Sequence, residues 1–258
     1  MSADCLVKQA AKHLPGSDCL TADGTGLRRT QAPASILHSL FSEADGSEDN
    51  FGLERLLYRK GYFCVAGCDE AGRGPLAGPV VAACVVLPKD CKHSLFVDSK
   101  ILTHRQRVDL SLQLKDIGAV SAIGIVSEQQ IERINILQSS LLAMKLAVEN
   151  LAGHCPDFLL VDGTFAIPLP TAQATLTKGE SKSSSIAAAS ILAKVERDRI
   201  MDHYHRQYPA YNFKKNKGYP TREHRLAIQQ NGICPIHRKT FRGVREYVEQ
   251  TAAVGTGG

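Results

Sequence analysis

YFCVAGCDEAGRGPLAGPVVAACVVL, residues 62–87, holds two apolar runs separated by a polar, glycine-rich one. YFCVAGC (62–68) and PVVAACVVL (79–87) are short, rich in branched or small apolar residues, and bounded by glycine and proline. Runs of this kind read as buried strands. Asp69 and Glu70 directly follow the first of them. A carboxylate at the end of a buried strand is costly to desolvate unless it is paired or binds a metal, so two in succession ask for a partner. Gly72 and Gly74 flank Arg73 in the turn that follows. Glycine lets the backbone come close to a ligand and leaves its N–H groups exposed, and arginine offers a fork of donors to phosphate.

Working outward, DFLLVD (157–162) is a third short apolar run, and it closes on Asp162. A single acid there would cap the next turn. Asp69, Glu70 and Asp162 together make a hard-oxygen set suited to Mg²⁺ or Mn²⁺, as used in two-metal phosphodiester hydrolysis. Asp98, Ser99 and Lys100 form a further polar cluster after an apolar stretch. Val120 to Val126 reads as another strand. Ser127 with Gln130 offers a capping box, and Ile136 to Leu151 has helical periodicity. Ser184 to about Arg206 reads as a long Ala/Leu-rich helix, with a further helix after Pro220 and Thr221. Strands and helices mixed in this way imply α/β architecture.

At 258 residues, 43% hydrophobic and 22% charged, the composition is ordinary for a globular chain. It has no apolar stretch of membrane-spanning length, and the N-terminus lacks the apolar core of a secretory signal. The expected location is cytoplasmic. The eight cysteines show no CxxC or zinc spacing and are expected to be reduced. Residues 1–50 end in SEADGSEDN and read as a flexible extension, 51–248 as the catalytic domain and 249–258 as a tail. From Lys194 to Arg245 there are 13 Lys+Arg against 4 Asp+Glu, a balance of +9, while the remainder has 18 against 22, or −4. Six of the 15 aromatics fall in the same segment: Tyr204, Tyr208, Tyr211, Phe213, Tyr219 and Phe241. Basic residues interleaved with stacking rings point to nucleic acid. They speak against a hydrolase of small phosphate esters, which would not need so long a basic surface.

Six blocks carry a resemblance: CDEAGRGPLAGPVVAACVVLP (68–88), VDSKILTHRQR (97–107), INILQSSLLAM (134–144), LLVDG (159–163), KGESKSSSIAAASILAKVERDR (178–199) and KGYPTREH (217–224). In this order, over about residues 62 to 245, the sequence resembles bacterial ribonuclease HII. Arg73 separates it from the sister ribonuclease HIII. The resemblance implies a ribonuclease H-like fold: a central mixed sheet flanked by helices, with a helical C-terminal part. It also implies four catalytic, metal-holding acids: Asp69, Glu70, Asp162 and, where the family usually has Asp in a KGD block, Glu180. Asp198 in ERDR is a rival for the fourth place. Lys194 one helical turn before it would explain it as an i,i+4 ion pair, which favours Glu180.

By the same resemblance Gly72, Arg73, Gly74 and Tyr219 sense the junction between a ribonucleotide and the next deoxyribonucleotide, using the 2′-OH that distinguishes RNA from DNA. Lys100 and Lys182 would contact phosphates, and His224 would lie near the site or serve the fold. The implied enzyme is a monomeric, Mn²⁺- or Mg²⁺-dependent endonuclease. It would act on RNA–DNA hybrids and on ribonucleotides embedded in DNA, leaving 3′-hydroxyl and 5′-phosphate ends, and would serve ribonucleotide excision in DNA replication and repair. Carboxylates at all four positions speak against a non-catalytic binding module on the same scaffold.

Overall fold

In the computed structural model, residues 50–249 are described. The expected extension and tail lie outside them, except for Asn50 and Glu249. Among the described residues, β1 (Val65–Ala71), β2 (Val80–Val86), β3 (Val120–Val126), β4 (Phe158–Asp162) and β5 (Ala172–Leu176) form one sheet in the order β3-β2-β1-β4-β5. β2 runs antiparallel to both β1 and β3, whereas β1, β4 and β5 are mutually parallel neighbours. The mixed sheet expected from the sequence is therefore present. β1 is longer at its end than expected: it runs on through Asp69 and Glu70 to Ala71 because both acids pair with β2 opposite Ala83 and Ala82.

Among the described residues the helices include α1 (Gly52–Arg59), α2 (His104–Asp116), α3 (Glu128–Glu149), α4 (Ser184–Gln207), α5 (Phe213–Asn216) and α6 (Arg222–Asn231). Alternation along the strands sends Ala66 and Cys68 of β1 and Ala82 and Cys84 of β2 into a core with Leu141, Ala143, Met144 and Ala147 of α3. Ala83 and Val85 face the other way, onto Ala187, Ala188 and Ile191 of α4. α4 lies so close to β1 that a Cβ on Gly67 would stand 2.2 Å from the Ser185 carbonyl carbon. Only glycine allows that approach, and it fixes α4 over the strand that carries the acids.

Ser127 caps α3 by accepting the Gln130 N–H. Inside α3, Asn135 has φ 66 and ψ 170, and its side chain accepts the Gln138 N–H. The regular helix thus restarts at Ile136, where the periodicity begins. Asn50 belongs to the domain rather than to the extension. Its carbonyl and amide oxygen accept the N–H and hydroxyl of Ser184, and its amide nitrogen donates to Phe96 O, which ties down the start of α4.

Beyond α4, Tyr204, Tyr211 and Phe213 pack with Leu76, Met201 and Ile228 into a separate apolar cluster. This corrects the reading of the basic segment, because these rings are core and Tyr219 is the one that stands 47% exposed. The expectation of reduced thiols holds for Cys64, Cys68, Cys84, Cys91 and Cys234. Cys5 and Cys19 lie outside the described residues. No helix of the described residues is long and apolar enough to cross a membrane.

Candidate active site

Because β1, β4 and β5 are parallel, their carboxyl ends lie at one edge of the sheet, the edge where open α/β sheets bind ligands. The pairing of Cys68 with Val161, continued by one residue, sets Asp69 beside Asp162. β5 ends at Leu176 and delivers Glu180 through a turn in which Lys178 is left-handed, with φ 57. That turn is pinned to β4 by a 2.6 Å hydrogen bond from Gly179 N–H to Asp162 Oδ1. The four expected acids are thus brought to one edge.

Their surroundings differ. Asp69 is 3% exposed. Burial pushes its carboxyl well above the ordinary range, and the charges of Glu70 and Asp162 add to this against Lys194 and a hydrogen bond from Ser190. Burial also raises Glu70, with Asp162 adding and the Arg73 guanidinium 3.3 Å away opposing. Glu180 is saturated with donors. Lys100 Nζ lies 2.7 Å from Oε1, the Ser99 N–H and hydroxyl donate to Oε2 at 3.0 and 2.7 Å, and Lys194 Nζ stands 4.0 Å away. Burial works to raise this carboxyl, but Lys100, Lys194 and Ser99 together outweigh it and hold it at about 2.

Lys194 does not pair with Asp198 as the sequence suggested. Helical side chains lean toward the N-terminus, and Lys194 reaches back to donate to Ser190 Oγ at 2.6 Å. Ser190 in turn meets Ser99 Oγ at 3.0 Å. Asp198 pairs instead with His104 Nδ1 at 3.2 Å and Arg107 at 4.0 Å. Ser99, Ser190 and Lys194 join the acids into one network. Of these, Ser190 and Lys194 were missed in the sequence, although their i,i+4 spacing on α4 was a usable signal.

Next to Glu70 and Asp162 opens a cavity of about 220 Å³, walled by Leu137, Leu141, Met144 and Phe165. Among the described residues no three His, Cys, Asp or Glu side chains already enclose an ion-sized space, since Asp162 is turned onto Gly179 and Glu180 onto Lys100. The chemistry of the donor set nonetheless fits a hard divalent cation. It is all oxygen and anionic, and Asp69 and Glu70 sit in a mutual repulsion that a cation would relieve.

Gly72 has φ 100, and a Cβ there would meet Arg197 Nε at 2.3 Å. Arg73 and Gly74 are exposed. Gly74 faces Tyr219, whose Cε1 would lie 3.7 Å from an added Cβ, so the two expected junction-sensing elements are neighbours. Lys182 is exposed just past the Glu180 turn. His224 is buried. Its Nδ1 meets Tyr219 O at 2.9 Å and its Nε2 meets His237 Nε2 at 3.1 Å, so it braces the Tyr219 loop. The loop 72–79 rests on two buried guanidiniums that no sequence motif announced. Arg238 (0% exposed) and Arg197 (2%) donate to its carbonyls.

Helices on both faces of a sheet in this strand order, with acids at the carboxyl ends of the parallel strands, place the protein in the ribonuclease H-like class. The family model for ribonuclease HII matches residues 66–244, and the chain belongs to that family. It is 61% identical over 204 residues to ribonuclease HII of Desulfotalea psychrophila, an alignment spanning 78% of this chain and 91% of that one. Ribonuclease HII of Geobacter sulfurreducens is 52% identical over 193 residues, spanning 75% and 88%. Among solved structures, ribonuclease H2 of Pyrococcus horikoshii superposes with a TM-score of 0.62 at 27% identity, covering 74% of this chain and 99% of that one. The protein is accordingly an endoribonuclease that cleaves the RNA of RNA–DNA hybrids.

Proposed function

We propose that this enzyme also cuts duplex DNA at embedded ribonucleotides, working as a cytoplasmic monomer in ribonucleotide excision. In this reading Asp69, Glu70, Asp162 and Glu180 hold Mg²⁺ or Mn²⁺, two ions during catalysis, and the products carry 3′-hydroxyl and 5′-phosphate ends. The observation that supports it best is the adjacency of the acid edge to a Gly72–Arg73–Gly74 turn whose Arg73 and Gly74 are exposed and faced by Tyr219. That turn offers main-chain donors and a ring to one sugar, beside the place where its phosphate would be attacked.

When bound, the divalent ions activate water and stabilise charge on the leaving oxygen. The chain's own groups do the rest. Asp69 and Glu70 supply carboxylate oxygens whose mutual repulsion in burial a cation would relieve. Lys100 and Lys194 keep Glu180 ionised, so that it stays an acceptor. Arg73, Lys100, Lys182 and the basic C-terminal face position the phosphates, and binding therefore weakens as salt rises. Ser190 and Lys194 orient Asp69 from the face of α4.

The test is incubation with duplex DNA that contains one ribonucleotide, with Mg²⁺, Mn²⁺ or EDTA, read on a denaturing gel beside an all-DNA duplex and an RNA–DNA hybrid. One metal-dependent cut at the ribonucleotide is expected. Cleavage of the hybrid with none at the single ribonucleotide would refute the embedded-ribonucleotide activity.

A further inference from the structure

Arg238 lies in ICPIHRKTF (233–241), far along the chain from the acids. All five of its N–H groups have a carbonyl to donate to, and every one of those carbonyls lies in the loop that follows β1. Nε donates to Gly78 O at 2.9 Å, Nη1 to Arg73 O and Pro75 O at 3.1 and 2.9 Å, and Nη2 to Gly72 O and Pro79 O at 2.6 and 3.2 Å. Arg197 adds Nε to Pro79 O at 3.1 Å and Nη2 to Ala77 O at 3.2 Å. A loop whose carbonyls converge on one buried cation has a fixed polarity. In a trans peptide the C=O and the following N–H point in opposite directions. Drawing Gly72 O and Arg73 O inward therefore turns the N–H groups of Arg73 and Gly74 outward. Both residues are exposed, and neither N–H takes part in the main-chain hydrogen bonds that hold Leu76 N to Gly218 O (2.8 Å) and Gly78 N to Ile236 O (2.9 Å).

We propose that Arg238 is a positioning residue for substrate recognition: by gathering the carbonyls of residues 72–79 it presents the Arg73 and Gly74 amides as a paired receptor for one oxygen of the nucleic acid. The oxygen is a ribose 2′-hydroxyl or a phosphate oxygen, and the two sources are separable by experiment. The inference rests on the proposed reading of this edge as the nucleic-acid site. Lysine cannot replace Arg238 in this role, because three donors on one nitrogen cannot span five carbonyls spread over eight residues. Nor is a nearby arginine a substitute, since Arg197 contacts neither Gly72 O nor Arg73 O.

The experiment uses the full chain in EDTA, so that no cleavage intrudes, with two duplexes: all-DNA, and the same sequence with one ribonucleotide. Dissociation constants are measured for wild type and Arg238→Lys, with circular dichroism as the check on folding. The expected result is that wild type prefers the ribonucleotide duplex and that in Arg238→Lys the ratio of constants falls to about one. Affinity for all-DNA should stay within roughly threefold, because phosphate contacts elsewhere set it. If Arg238→Lys instead weakens both duplexes alike, phosphate is the oxygen received. An unchanged preference in a folded Arg238→Lys protein would overturn the inference. Absence of any preference in wild type would refute ribonucleotide recognition itself, which is a different failure.

Amide hydrogen exchange on wild type decides the matter if the variant does not fold. The Arg73 and Gly74 amides should exchange fast in the free protein and become protected by duplex, while Leu76 and Gly78 stay slow throughout. Protection of the first two without nucleic acid, or none with it, would overturn the proposal.

Discussion

Two regions of this protein bury charges of one sign next to each other, and they treat them in opposite ways. Under the loop 72–79, Arg197 and Arg238 are both buried, and their donors are matched by main-chain carbonyls. Burial lowers Arg238 to about 9, with Arg197 adding, yet it remains a cation at neutral pH. At the carboxyl ends of β1 and β4, Asp69, Glu70 and Asp162 accept hydrogen bonds from the Glu70 N–H, Ser190, Arg73 and the Gly179 N–H, yet three carboxylates crowd together there, and burial plus mutual repulsion raises Asp69 and Glu70. A buried charge whose hydrogen bonds are complete holds the fold. Charges of one sign crowded in burial are poised for a ligand of the opposite sign. Glu180 stands between the two cases, buried like Asp69 but saturated by Lys100 and Ser99.

The largest expected effect comes from the buried acid that its neighbours repel most. Asp69→Asn should lower metal-dependent cleavage by roughly 10²–10³-fold or more, the scale of losing one preorganised charge at a reacting site, while duplex binding persists. Near wild-type turnover in a folded variant would remove Asp69 from the working set. Glu180→Gln should cost less, about 10–100-fold, and raise the metal concentration for half-maximal rate, because it removes one of the four acids proposed to hold the metal while leaving the other three in place. An unshifted metal titration would show that Glu180 only holds Lys100 and Ser99.

A smaller effect belongs to the His224–His237 pair under the Tyr219 loop. Burial, then the neighbouring His224, lowers His237 from 6.5 to about 4. The unfolded chain takes up a proton near the higher value while the folded one stays neutral to the lower. Acid therefore favours unfolding, and stability present above pH 6.5 is lost as pH falls toward 4. Replacing His237 with Gln should flatten this part of the melting-temperature profile, and an unchanged slope would assign the loss to other groups. The smallest change is expected of Asp198→Asn. Its pair with His104 is partly exposed, so it should cost at most about 1 kcal/mol in a denaturant titration and leave cleavage intact. A strong activity defect would bring Asp198 back as the fourth acid.

The acids at the strand ends were legible because an apolar run that stops on a carboxylate breaks the local rule that buried positions are apolar. β3 and the restart of α3 at Ile136 were legible from periodicity. α2 was not, since only Ser111 and Leu114 of its 13 residues are buried and its apolar face is too weak to register. β5, reading AQATL, lacks the branched run that marks a central strand. The Lys194–Asp198 pairing failed because spacing permits an ion pair without setting the direction of the side chain. The aromatic count misled in a similar way, because composition does not say which rings face the core. Arg197 and Arg238 were invisible for a deeper reason: their partners are main-chain carbonyls, which every sequence has.

The central claim is that the acid edge carries uncompensated charge kept for a cation. The most direct measurement is the melting temperature of wild type and Asp69→Asn side by side in EDTA. Removing a buried charge that repels Glu70 and Asp162 should raise the melting temperature by a few degrees, about what 1 kcal/mol gives in a domain of this size, in the same variant that loses cleavage. A melting temperature that falls in EDTA would contradict the account, because it would mean that the charge of Asp69 stabilises the fold rather than straining it.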